Sequence, residues 1–497
     1  MARIIPFAPT DSLTAILELE PPAFSRADPF RQLRYIADYV RSLECRSLVI
    51  EDHYVDRDFI EDYSLFYSRN LQAYPNFCQR VHFFRCESDQ TEAELHRLLT
   101  DLRKYPAEFK ERAAEFSRDR YLGFTVIKPL KGSPVGRTVL SRYPAQPADL
   151  PDQERHFSGT RSYTVHLGPV TLSVTGLAFQ QQDVGVSACA TTALWSALHK
   201  VRDFEEIGAP TPAQITTLAT RYSLPFGRPI PSDEGLSLDQ MCQALQALQV
   251  APHVLHAQRF RTGRSFVYSA LRSEFAPVLL VSSETNPEVR HAVTAVGQRL
   301  APFKSPVTPN PVDASERVVA FYVNDDRMGP YVRMNLIERN NRVVLETVRN
   351  GNPLDRWLLD FVLLPLHPKI RLPLSGLREI AIRFLRDLYD LQIPLEGPIQ
   401  YEHWFARTPT YLRELMIDND ESALGVMKRI GEILKLPRYV GIARITTGTG
   451  KIDLLVDSTS TMKNLHCLAV VAIVSKPIDC SELARRYRCE YITSQGG

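Results

Sequence analysis

Val186-Ser187-Ala188-Cys189-Ala190-Thr191-Thr192-Ala193-Leu194-Trp195 sets one cysteine at the head of an apolar run. Ala193, Leu194, Ala197, Leu198 and Val201 follow at a helical spacing, which predicts a core helix with one buried face. Cys189 then falls in the first turn of that helix. Unpaired N–H groups and the positive end of the helix dipole favour a thiolate over a thiol there. A thiolate so placed needs a base, and the base needs a group to orient it.

Candidates for both lie downstream. His291 opens the alternating run His291-Ala292-Val293-Thr294-Ala295-Val296-Gly297, which predicts a strand beginning at a histidine. A buried strand is expected just before it, over Phe275 to Ser282, and a third over Val318 to Val323. The third runs into Asn324-Asp325-Asp326-Arg327-Met328-Gly329, a turn-forming sequence. This order suits a cysteine hydrolase, in which imidazole takes the thiol proton and a carboxylate sets the tautomer and supports the imidazolium. Each residue alone also has a bland structural reading. Ala-Cys-Ala on an apolar helix reads as small core packing, a strand histidine as a packed polar group, and Asp-Asp before Gly as a turn. Only the three together, in this order and on these elements, point to catalysis.

From about residue 175 to 335 the chain resembles a papain-like cysteine peptidase of the bacteriocin-processing type. The likeness rests on the Gln/Asp-rich approach Gln180-Gln181-Gln182-Asp183 to Ser187-Ala188-Cys189-Ala190, the Pro277-Val278-Leu279-Leu280 strand, His291-Ala292-Val293 and Tyr322-Val323-Asn324-Asp325-Asp326-Arg327-Met328-Gly329. It implies an α+β fold with a papain-like core, in which a helix bearing the cysteine packs on an antiparallel sheet bearing the histidine and aspartate. By the same match Cys189 is the nucleophile, His291 the base and Asp325 the orienting residue. The chain departs from the pattern in Cys-Ala for the usual Cys-Gly, and in Asp326 where a proline is usual. The oxyanion-hole glutamine is open between Gln182 and Gln181, because the position six residues before the cysteine is Asp183; the backbone N–H of Cys189 is the other donor. Phe226, Gln181 and Trp195 are the expected substrate-binding residues, with Phe226 in the Pro-rich loop Leu224 to Pro231.

Composition sets the frame. The 497 residues exceed what one core serves, and about three domains are expected. Lys plus Arg number 59 against 57 Asp plus Glu, a net charge of +2, so no nucleic-acid footprint is expected. The eight cysteines are scattered with no CxxC spacing, which argues against a zinc site and a disulfide framework and suits a reducing cytoplasm. No signal-peptide core follows Met1, and no apolar run approaches the ~18 residues of a membrane span. Glu51 to Asp58 holds His53, Asp56 and Asp58, but a loop with Asp56 or Asp58 capping a helix is the simpler expectation. No metal and no cofactor are expected.

Three blocks emerge along the chain: an N-terminal mixed α/β accessory region over 1–150, the peptidase-like unit over 160–372, and a C-terminal α+β accessory region over 373–497. Within the middle block, Thr211 with Pro212, and Ser237, read as the starts of two helices. In the last block a hairpin is expected across Gly448-Thr449-Gly450. The expected protein is a cytoplasmic, bacterial cysteine hydrolase acting on a peptide or isopeptide bond of a specific protein, with the flanking regions serving partner binding or substrate presentation. No ABC transporter segment follows in this sequence, so regulated cleavage, as in a stress or phage-defence system, is expected in place of leader export. Two rivals stand beside it: transglutaminase- or deamidase-type acyl transfer on glutamine, and an inactive papain-like scaffold.

Overall fold

The strand Val278–Ser283 is paired on both of its edges, antiparallel to Arg290–Leu300 on one side and to Asn352–Leu366 on the other. That double pairing closes a barrel of six antiparallel strands: these three with Val318–Asp325, Gly329–Arg339 and Arg342–Arg349. Ala251–His256 extends it along Asn352–Leu366, and Glu154–His156 along the far end of Arg290–Leu300. The papain-like core expected from the sequence is therefore corrected. The histidine and aspartate strands belong to a closed barrel, and the barrel sits in a molecule of several sheets. Closure depends on Asn352–Leu366, a 15-residue strand beyond the stretch that carried the resemblance. Once closed, the six strands leave no free edge between them.

The computed structural model describes residues 2–21, 28, 30–69, 73–147, 150–183, 189–203, 209–221, 235–303, 310–349, 352–417, 421–476 and 478–493. Strand alternation divides the barrel residues between two apolar cores. Val293 and Ala295 join Phe321, Val323, Leu345 and Leu359 in one core, together with Phe266 and Leu271 of the helix Phe260–Arg272. Ala292, Val278 and Leu363 face the other way, into a core shared with the helix Cys189–Asp203.

The N-terminal strands Arg3–Pro6, Ser47–Tyr54, Cys78–Phe84, Tyr121–Ile127 and Val135–Leu140 form an antiparallel sheet in chain order. One face, with Leu48, Ile50, Phe83 and Leu122, packs on Leu33 and Ile36 of the helix Arg31–Ser42. The other face, with Val49, Phe84, Phe124 and Val126, packs on the helices Ser88–Lys104 and Pro106–Arg120 and shares its core with Leu194, Trp195 and Leu198. The cysteine helix is thus wedged between the barrel and the N-terminal region.

At the other end, Gln400–Arg407, Tyr439–Thr447, Gly450–Asp457 and Cys467–Val474 form an antiparallel run, with Val312–Asp313 and Glu490–Thr493 added in parallel at its two edges. The hairpin across Gly448-Thr449-Gly450 pairs Thr447 with Gly450. Ala443, Ile445, Ile452 and Leu454 lie in the barrel's own core with Leu377 and Phe384 of the helix Leu374–Asp390. Both flanking sheets therefore share apolar cores with the barrel. No helix among the described residues is long and apolar enough to cross a membrane.

Candidate active site

Cys189 is the first residue of its helix and is half-buried. Buried polar ties hold that helix against the barrel. Thr294 Oγ1 donates to Ala193 O at 2.7 Å. Asn324 Nδ2 donates to Ala178 O at 3.2 Å and to Ser196 Oγ at 3.0 Å, and Ser196 Oγ donates to Ala178 O at 2.7 Å. Because Asn324 directly precedes Asp325, these bonds lock the cysteine helix to the aspartate strand. Buried partners left unpaired cost about 1–3 kcal/mol each. Asn324→Ala is expected to destabilise the fold by about 2–3 kcal/mol in urea unfolding; a change below about 0.5 kcal/mol would show that the ties do not hold the helix.

His291 stands at the start of Arg290–Leu300 and Asp325 at the end of Val318–Asp325. Their strands are neighbours, so the two side chains meet: His291 Nε2 lies 2.9 Å from Asp325 Oδ1 and 3.5 Å from Asp326 Oδ1. The Cys189 side chain also hydrogen-bonds His291. With Nε2 facing the carboxylates, Nδ1 is the ring nitrogen left for the thiol. The Trp357 ring stands 5.5 Å from the imidazole between centroids, tilted by 42°, and shields it from solvent. All three charged groups are buried, His291 to 5 % exposure and Asp325 and Asp326 to 3 % each.

Electrostatics follow from that burial. Burial alone pulls the imidazole's pKa down, but the charges of Asp325 and Asp326, with the bonds to Asp325 and Cys189, raise it well above its ordinary value. Burial pushes Asp325 up as well. The imidazolium and the Arg327 N–H outweigh it and hold this carboxyl below the usual carboxylate range. Burial prevails at Asp326, whose carboxyl is pushed up to about 6. The favoured state is an imidazolium against an ionised Asp325.

The aspartate turn is braced from the N-terminal region. Gln32 Nε2 donates to Asp326 O at 2.8 Å, and Arg327 N donates to Asp325 Oδ1 at 3.0 Å. Tyr35 lies so close over the turn that a Cβ on Gly329 would sit 2.1 Å from its ring, so glycine is required there. The Arg327 guanidinium lies over Trp357, 5.1 Å from the ring centroid.

The remaining sequence-predicted residues divide. Gln182 is exposed, immediately before the cysteine's approach loop. Gln181 is buried and tied to the N-terminal sheet: its N donates to Val135 O at 3.0 Å and its Oε1 accepts from Val135 N at 3.2 Å. Both bonds tie this expected substrate-binding residue to the N-terminal sheet. Trp195, also expected to bind substrate, is 0 % exposed and packs edge-on to His199 at 4.5 Å between centroids. Phe226 and its loop lie outside the described residues, as do Val184 to Ala188. At the acidic loop, Asp56 caps the helix Arg57–Leu65 and pairs with Arg137 at 2.7 Å.

Sequence reasoning gave no role to Asn324, Arg327, Trp357 or Gln32. Trp357, one of only three tryptophans, was the accessible signal. Gln32 had none, because nothing local links it to a turn almost three hundred residues away. No protein-family model matches the sequence, and no curated protein matches it significantly.

Proposed function

We propose that this protein is a cysteine hydrolase that cleaves a peptide or isopeptide bond in a specific protein substrate. The observation that carries the reading is one imidazole that meets Asp325 at 2.9 Å and also interacts with the side chain of Cys189 at a helix start. In the first half-reaction the Cys189 sulfur, its proton already held by His291, attacks the carbonyl carbon. The C–N bond then breaks, and the imidazolium gives that proton to the leaving amine. Water, deprotonated by the same imidazole, attacks the thioester, and the departing sulfur recovers its proton. Asp325 keeps Nε2 protonated and supports the positive ring throughout. Gln182 and the Cys189 backbone N–H are the oxyanion donors in this scheme. A reducing cytoplasm suits an unpaired catalytic thiol, and all eight cysteines are free.

Terminal-amine labelling of a bacterial lysate treated with the protein, read by mass spectrometry, tests this. New N-termini are expected with the wild type and a loss of at least a hundredfold with Cys189→Ala. Ammonia release or amine incorporation without new termini would assign acyl transfer on glutamine. If the wild type and Cys189→Ala give the same products, the reading is wrong.

A further inference from the structure

The geometry points to a second use of the same buried corner: His291 Nε2, Asp325 and Asp326 form a binding site for one divalent first-row transition ion, zinc being the type, and the bound ion holds the hydrolase off. These are a ring nitrogen and two carboxylates, and their nearest ligand atoms all lie within 4.8 Å of one another. Zinc bonds of about 2.0–2.1 Å at tetrahedral angles place neighbouring ligand atoms about 3.3 Å apart. The separations from Nε2 to the two carboxylates, 2.9 and 3.5 Å, straddle that edge.

Asp326 supplies an independent indication. Its carboxylate is 3 % exposed, yet neither oxygen accepts a hydrogen bond from any other described residue. Asp325 is different, since it accepts both the imidazole and the Arg327 N–H. A buried carboxylate with no donor beyond its own backbone is costly unless a cation meets it. The nearest cationic atom is His291 Nε2, already committed to Asp325. One imidazole among the ligands favours zinc and its neighbours over Mg2+ and Ca2+, which take oxygen. Gln32 and Arg327 hold the turn from outside, so the ligands are held in place before the ion arrives.

The chemistry of the ring makes metal binding and catalysis exclusive. In the hydrolase, Nε2 carries a proton toward Asp325 and Nδ1 accepts the proton of the thiol. An ion on Nε2 displaces that proton to solvent. Of the imidazolium's two protons only the one on Nδ1, facing Cys189, is then left, and a ring that holds the ion and this proton has no lone pair to act as base. Cys189 does not belong to the group of close ligand atoms and is not a ligand. The inhibitory consequence rests on the hydrolase reading, whereas the binding itself does not.

Equilibrium dialysis of the chelator-stripped full chain against Zn2+ and Co2+, with Mg2+ and Ca2+ as comparisons, separates the two. One equivalent of Co2+ or Zn2+ is expected in the wild type and equally in Cys189→Ala, with no sulfur-to-cobalt charge-transfer band in either. His291→Gln and Asp326→Asn are each expected to weaken binding at least a hundredfold, with circular dichroism confirming that they fold. Absence of stoichiometric binding in the wild type would overturn the site and leave the hydrolase reading intact. So would binding of only Mg2+ or Ca2+, or binding that persists in both ligand variants. If the ion binds as described and the stripped protein still cleaves nothing, the site stands and the hydrolase reading fails. Peptide cleavage by the stripped protein that zinc does not reduce at stoichiometric occupancy would overturn the switch.

Discussion

Replacing His291 with alanine is expected to slow iodoacetamide labelling of Cys189 at pH 6 about a hundredfold. An isolated cysteine thiol, with pKa about 8.5, is only roughly 0.3 % ionised at that pH, so labelling without a base is slow. In the proposed hydrolase the imidazole takes the thiol proton, and the resulting imidazolium is held by Asp325 at 2.9 Å. Removing the ring removes both the acceptor and the charge that holds the sulfur anion. The labelling should be read peptide by peptide in chelator-treated protein. Cys489 is the internal reference, because it is also half-buried and burial pushes its thiol up to about 11. Cys45, Cys467 and Cys480, each pushed up to about 12 by burial, should stay unlabelled. If Cys189 reacts at the same rate in both proteins, or no faster than Cys489 in the wild type, the imidazole does not activate it.

Trp195→Ala is expected to cost about 3–5 kcal/mol of stability, the usual loss when a fully buried aromatic is truncated in a packed core. The side chain is 0 % exposed in a cluster with Leu194, Leu198, Phe84 and Phe124, where the cysteine helix and the N-terminal sheet meet. Its ring also loses the edge-on contact with His199. Because that core holds the helix on which Cys189 stands, labelling of Cys189 should fall along with stability. Urea unfolding and the labelling assay, run on the same samples, measure both. A substrate-contact role would give the opposite pattern: unchanged unfolding and a raised KM. That pattern would show that the ring is reachable in solution and that the packing described for it is wrong.

Local chemistry was legible in the chain without any structure. Thr211 and Ser237 were readable as helix starts, and each forms a reciprocal capping box with the glutamine three residues on, Gln214 and Gln240. A cap at Asp56 or Asp58 was readable for the same reason, and Asp56 fills it, since the bonds involved span two or three residues. Cys189 at a helix start, His291 at a strand start and Asp325 at a strand end follow from apolar periodicity and a turn-forming sequence. Those placements depend only on neighbours along the chain.

What the chain did not disclose is what distant segments do to one another. The apolar spacing after Cys189 announced one buried face, but Ala190 to Val201 are buried throughout, because the N-terminal sheet covers the side that would otherwise meet water. That covering turned Trp195 from an expected substrate contact into core. Gln181 became a strut because Val135, on another sheet, offered its backbone N–H and C=O. Asp326 stood out in the sequence only as an unusual residue in a turn; its burial beside His291 needed the barrel. By itself the sequence determined which local elements bear the cysteine, the histidine and the aspartate. Tertiary structure alone decided that the sheet closes through Asn352–Leu366 and that these side chains meet in a buried corner, since pairing and burial are set by contacts among segments that no local pattern links.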